Sequence, residues 1–251
     1  MRSLCAALQF LTILPVRGAF DARALGHSVP WFPVVGLLLG LLTALFDTIG
    51  LQLGCPPAIM HVASVAMLAA LTGGLHLDGL ADTADGFLSA RPRERIIEIM
   101  RDSRIGTMGV LALIFVLGFK VAAGLAQLTG HTRLRGLLLA PVAGRCLQVL
   151  TLACLPYAHA SGGLARVFVA SRRRALRGMW AVLALAVAAL VFCGWQGLWV
   201  LLVCSLLWSF IAMRSLQRIG GFTGDTLGAT SELTEAAVLV CVSLLFPGGG
   251  L

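Results

Sequence analysis

Pro33-Val34-Val35-Gly36-Leu37-Leu38-Leu39-Gly40-Leu41-Leu42-Thr43-Ala44-Leu45-Phe46-Asp47-Thr48-Ile49-Gly50-Leu51 is a run of nineteen residues with a single charge. A hydrocarbon layer about 30 Å thick needs about 20 mostly apolar residues per helix, so this run is long enough to cross it. Similar runs recur near 58–76, 107–128, 136–155, 179–194, 197–213 and 233–247. The chain is therefore predicted to be an all-α polytopic membrane protein. About seven transmembrane helices and a short N-terminal interfacial helix would form one domain over residues 1–251. Gly54-Cys55-Pro56-Pro57 and Gly194-Trp195-Gln196-Gly197 read as tight turns, each closing an antiparallel helix hairpin.

Composition agrees with that reading. Hydrophobic residues make up 59% of the 251, charged residues only 12%, and mean hydropathy is +0.94, which excludes an ordinary soluble domain. Residues 1–24 imitate a secretory signal, but Arg17, Arg23 and the next apolar run close behind them favour retention of the segment. The seven cysteines fall mostly inside apolar runs, without a CxxC pair, and read as small hydrophobes.

The net charge of +8 is explained by topology. Alternating spans put fifteen arginines on one side: Arg2, Arg17 and Arg23, five between 91 and 104, five between 166 and 177, and Arg214 and Arg218. The other side receives Arg133 and Arg135, while Lys120 and Arg145 fall inside spans. The basic side should face the cytoplasm, so the balance reflects the lipid bilayer and gives no reason to invoke nucleic acid. Most acids, Asp225 and Glu232 included, fall on that same side, which favours chemistry at the cytoplasmic face over a path through the membrane.

His76-Leu77-Asp78-Gly79-Leu80-Ala81-Asp82-Thr83-Ala84-Asp85-Gly86 follows the second apolar run. Asp78, Asp82 and Asp85 are spaced i, i+4, i+7, which on a helix is one face. Three oxygen donors so placed suit a hard divalent cation such as Mg²⁺, whereas helix capping would need only one acid near an N-terminus. His76 adjoins the cluster and is either a substrate contact or a structural histidine.

Two further segments are candidates. In Arg101-Asp102-Ser103-Arg104-Ile105-Gly106-Thr107 the arginines suit phosphate oxygens and Asp102 a proton-accepting or metal-binding role, while Glu94 and Glu98 read as ordinary helix pairs. Gly220-Gly221-Phe222-Thr223-Gly224-Asp225-Thr226-Leu227-Gly228-Ala229-Thr230-Ser231-Glu232 reads as a glycine-rich loop opening into the last span, with Asp225 and Glu232 placed for a metal shell or sugar hydroxyls. Arg145, costly within a span, should face the bundle interior near the acids.

Acids, paired arginines and a glycine-rich segment on one side point to transfer at a diphosphate, with Mg²⁺ neutralising the phosphates and a carboxylate taking a proton from an attacking alcohol. Asp82-Thr83-Ala84-Asp85-Gly86-Phe87-Leu88-Ser89-Ala90-Arg91 resembles the signature of CDP-alcohol phosphotransferases, but with one extra residue before Ala-Arg and without its second acidic half. The chain more closely resembles the cobalamin synthase family, the adenosylcobinamide-GDP ribazoletransferases. The matching blocks are Phe10 to Val16, Phe32 to Gly36, Thr72 to Gly86, Met100 to Gly109 and Gly220 to Glu235.

That resemblance implies an Mg²⁺-dependent enzyme of the bacterial inner membrane. It would join adenosylcobinamide-GDP to α-ribazole or its 5′-phosphate and release GMP. Asp78, Asp82 and Asp85 would then be metal ligands and Asp102 the candidate base. His76, Arg101, Ser103, Arg104, Arg145, Asp225 and Glu232 would contact substrate. A corrinoid or cation transporter is the rival of a different class, and a homo-oligomer is compatible with either.

Overall fold

Two glycines decide how the second apolar run is used. Gly73 and Gly74 both adopt left-handed backbone, φ +62° and +71°, conformations that cost an L side chain energy and end a helix. The run therefore breaks into α4 (Pro57–Leu71) and α5 (Leu75–Phe87), bent by 88° from each other. The computed structural model describes residues 2–18, 21–126, 130–158, 167–168 and 174–247; Arg166, Arg172 and Arg173 of the basic side lie outside them.

Ahead of the break stand α1 (Arg2–Leu11), α2 (Ala22–Gly26) and α3 (Phe32–Gln52), the last entered through a 3₁₀ turn at Val29–Trp31 and with Pro33 in its first turn. After it come α6 (Arg93–Ile99), α7 (Thr107–Ala126), α8 (Gly130–Cys154), α9 (Arg174–Cys193), α10 (Gly197–Ile219) and α11 (Gly224–Leu245). Among the described residues there is no strand, only one bridge between Tyr157 and Phe222.

By length and composition five segments can cross a membrane, or six if α4 and α5 together count as one; the seven expected are not recovered by that measure. Two features account for the difference. The fifteen-residue α4 is too short to span alone, because the expected 58–76 helix is cut at Gly73. Ala175–Ile219 forms one 45-residue apolar segment, and as a straight helix it would extend about 68 Å. A turn at Gly194 (φ +59°) divides it into α9 and α10, which pack on each other as the sequence predicted.

The inner helices are α8 and α11. In each, 78% of the apolar window is buried, against 28% in α7. α8 packs on α3, α9 and α11, while α11 also packs on α5, α7 and α10. Contacts at the two ends show a consistent alternation. At one, Arg218 of α10 donates to the Phe87 carbonyl at the end of α5 (2.8 Å) and Phe222 N donates to Pro156 O (2.9 Å). At the other, the Arg135 guanidinium sits 4.3 Å above the Phe246 ring and Gln196 Nε2 donates to Leu245 O. Cys146, Cys193, Cys204 and Cys241 are buried, Cys55 and Cys154 exposed, and all are free thiols.

Candidate active site

The three aspartates do share one helix, α5, whose start lies directly against the start of α11. Glycine makes that approach possible. A Cβ on Gly79 would come within 2.9 Å of the Asp225 Cα, and one on Gly228 within 3.2 Å of the Gly79 Cα. Asp78 is exposed, Asp82, Asp85 and Asp225 are half-buried, and Asp82 lies within electrostatic reach of the other three. The exposed Arg101 lies within electrostatic reach of Asp225.

The glycine-rich segment is not the loop the sequence suggested. From Gly224 onward it is the first turns of α11, begun by a reciprocal cap: Thr223 Oγ1 accepts from Thr226 N (3.2 Å) and Thr226 Oγ1 from Thr223 N (2.8 Å). Asp225 thus sits in the first helical turn, where the helix dipole favours a negative charge.

Asp85 differs from its two neighbours. Its Oδ2 accepts from Gly106 N (2.7 Å) and its Oδ1 from Gly109 N (2.8 Å), so it caps the start of α7 from another helix. Among the described residues no three His, Cys, Asp or Glu side chains form a group that could hold a metal ion, so the expected three-aspartate cage is not preassembled. Mg²⁺ ordinarily takes one or two carboxylates, waters and substrate phosphates, a smaller demand on the protein than a three-carboxylate cage.

Asp102 and Arg104 are engaged with each other. The guanidinium donates through Nε to Oδ1 (3.1 Å) and through Nη2 to Oδ2 (2.8 Å), and Arg104 N adds a third bond (3.1 Å). The side-chain bonds from Arg104 pull the Asp102 pKa down to about 2, which makes it a weak proton acceptor and a poor fit to the expected role of base. Ser103 is exposed beside them.

Three residues expected to contact substrate lie deeper. Arg145 is fully buried, and His76 and Glu232 nearly so. Arg145 donates to Ser231 Oγ (2.7 Å) and forms an ion pair with Glu235, while its Nη2 lies 3.5 Å from His76 Nδ1. Lys120 bonds both Glu232 and Glu235 at 2.6 Å. Glu232 therefore belongs to the bundle interior, not to the basic face where its sequence position seemed to put it. Arg145 does face inward near acids as expected, but those acids are Glu232 and Glu235.

A second buried pair, Asp47 with Arg133, joins α3 to α8 toward the other end, and Ser64 Oγ donates to Asp47 (3.0 Å). Charges thus reach further into the bundle than expected, but these buried groups are paired with one another. Lys120 and Glu235 were missed as a cluster. The available signal was the balance of two bases and two acids inside otherwise apolar helices.

Fold and site together define a polytopic membrane protein with a cluster of aspartates where the starts of α5 and α11 meet. The model of the cobalamin-5-phosphate synthase family matches residues 3–243, and the chain belongs to that family. Relatives named adenosylcobinamide-GDP ribazoletransferase include those of Pseudomonas savastanoi pv. phaseolicola, 41% identical over 95% of this chain and 98% of the relative, and Pseudomonas syringae pv. syringae, 42% identical over the same shares. That of Chlorobaculum tepidum is 39% identical over 99% of this chain and 97% of the relative. No solved structure matches the chain.

Proposed function

We infer that this protein performs the nucleotide-loop joining step of cobalamin synthesis, transferring adenosylcobinamide phosphate from adenosylcobinamide-GDP to α-ribazole or its 5′-phosphate. A ribazole hydroxyl oxygen bonds to the phosphorus carried by the corrinoid, the bond from that phosphorus to the GMP oxygen breaks, and GMP leaves. The observation that carries this reading is the membership of residues 3–243 in the family, joined to an aspartate cluster with Arg101 within its electrostatic reach.

In this reading Asp78, Asp82 and Asp225 would offer oxygens to Mg²⁺, which would neutralise the diphosphate and stabilise the departing phosphate. Arg101 meets phosphate oxygens, and a carboxylate of the acid face accepts the hydroxyl proton. Asp85 fixes the entry to α7, and the Asp102–Arg104 pair stiffens the segment that carries Arg101. The arginine asymmetry supports a cytoplasmic orientation of this face, on the bacterial inner membrane.

Product analysis tests the assignment. Full-length protein in lipid vesicles with adenosylcobinamide-GDP, α-ribazole and Mg²⁺ should yield GMP and adenosylcobalamin in equal amounts. CMP release from a CDP-alcohol without GMP release from the corrinoid would overturn it.

A further inference from the structure

The acid face raises a mechanical problem that the buried charges answer. Asp78 and Asp82 on α5 lie within electrostatic reach of Asp225 on α11, at packed helix starts, and their ionised forms repel. The close glycine contact of Gly79 with Asp225 and of Gly228 with Gly79 supplies packing but no interlocking side chains. Below it, Lys120 and Arg145 meet Glu232 and Glu235 in a neutral, buried set of two bases and two acids.

The spacing ties this set to the aspartate cluster. Asp225, Gly228, Glu232 and Glu235 are separated by three, four and three residues, so they form one stripe along α11. On α5, His76, Gly79 and Asp82 repeat at intervals of three, and Arg145 reaches His76 as well as Ser231. Any roll or slide of α11 that moves Asp225 relative to Asp82 must also turn Glu232 and Glu235 away from partners fixed on α7 and α8. In a buried setting that leaves charges uncompensated, whereas a lipid-facing apolar helix could slide by small steps at little cost.

We propose that Lys120, Arg145, Glu232 and Glu235 are positioning residues that lock the rotation and register of α11 against α5 and so hold Asp225 opposite Asp78 and Asp82. Buried polar groups used to fix helix register are the best-attested role for such costly pairs. The inference rests on the acid face being the reaction site, and deepens that reading by separating the groups that meet substrate from those that aim them.

The test uses full-length protein in lipid nanodiscs, with the exposed Cys55 and Cys154 changed to serine. Spin labels are placed at Leu88→Cys, just beyond α5, and Gly224→Cys, where an added Cβ meets no atom within 4 Å. Removing one opposite pair, Arg145→Met with Glu235→Gln, leaves the remaining Lys120 and Glu232 neutral together, so stability should change little. The expected result is a broadened or shifted label distance with the melting temperature kept within a few degrees. In the unlabelled double variant, turnover should fall by on the order of 10- to 100-fold, the scale set by small misplacements.

A label distance and turnover equal to the parent's overturn the proposal, as does an unchanged distance alone. If that pair yields no folded protein, Lys120→Met with Glu232→Gln is read by the same two measurements and the same criteria. The distance is taken without substrate. A parent protein that makes no GMP would therefore sink the transferase assignment while leaving the register lock to be judged by the labels.

Discussion

The molecule holds two sets of charges that obey opposite rules. In the aspartate cluster, Asp78, Asp82 and Asp225 repel one another on partly solvated surfaces. Some turns deeper, Lys120, Arg145, Glu232 and Glu235 are almost wholly buried and balanced. The first set is electrostatically frustrated and so contributes little to folding. The second is paired internally through its ion pairs, with the buried Arg145 Nε left without a hydrogen-bond partner. Substitutions should therefore separate the two: activity without stability in the aspartate cluster, stability and alignment below.

The largest effect should come from Asp82→Asn. It is expected to abolish Mg²⁺-dependent GMP release while membrane insertion and melting temperature are retained; near-normal turnover would remove Asp82 from the site. Next, Arg145→Met alone leaves Glu235 short of a partner in the bundle, and should destabilise by about 3–5 kcal/mol, measured by thermal or denaturant unfolding in nanodiscs. A loss below about 1 kcal/mol would mean the buried set is not the tight unit described.

Asp85→Asn is intermediate between the regions. One carboxylate acceptor becomes an amide donor facing Gly106 N or Gly109 N, so about 1–3 kcal/mol of stability should go, with faster hydrogen exchange at the start of α7. If exchange there is unchanged, Asp85 is not the cap. The smallest effect is at Asp102. Its pKa of about 2 against an ordinary 3.8 means that its contribution is fully present above 3.8 and is lost as pH falls from there through 2. Arg104→Ala should return the Asp102 titration toward 3.8, so carboxylate-resolved infrared titration would show its midpoint rising; a fixed midpoint would contradict the pairing.

Much of the architecture was legible as hydropathy. α3, α7, α8, α9 and α10 follow their apolar runs, and the hairpin turns at Gly54 and Gly194 stand where glycine and proline announced them. The sequence failed where polarity and depth part company. Gly224 to Glu232 looked like a loop because its hydroxyls and acids are hydrophilic, yet those groups are satisfied inside the protein by capping and ion pairs, not by water. The break at Gly73-Gly74 was hidden because hydropathy is blind to the sign of φ. For the site, the helical face of Asp78, Asp82 and Asp85 was readable from spacing alone. That Asp85 would be claimed by α7, and that Lys120 would find two glutamates more than a hundred positions away, depends on tertiary partners no local pattern encodes.

The break between α4 and α5 also sets an order of events during synthesis. α5 is too polar to bury itself, and the surface it leans on, the start of α11, emerges on the order of 140 residues later. At about 5–20 residues per second, the ribosome takes roughly 7–30 s to deliver it. Through that interval the acidic helix waits at the membrane boundary with its partner unmade. α11 is the last helix among the described residues, so a chain stopped before Gly224 lacks Asp225 and with it the α11 side of the acid face.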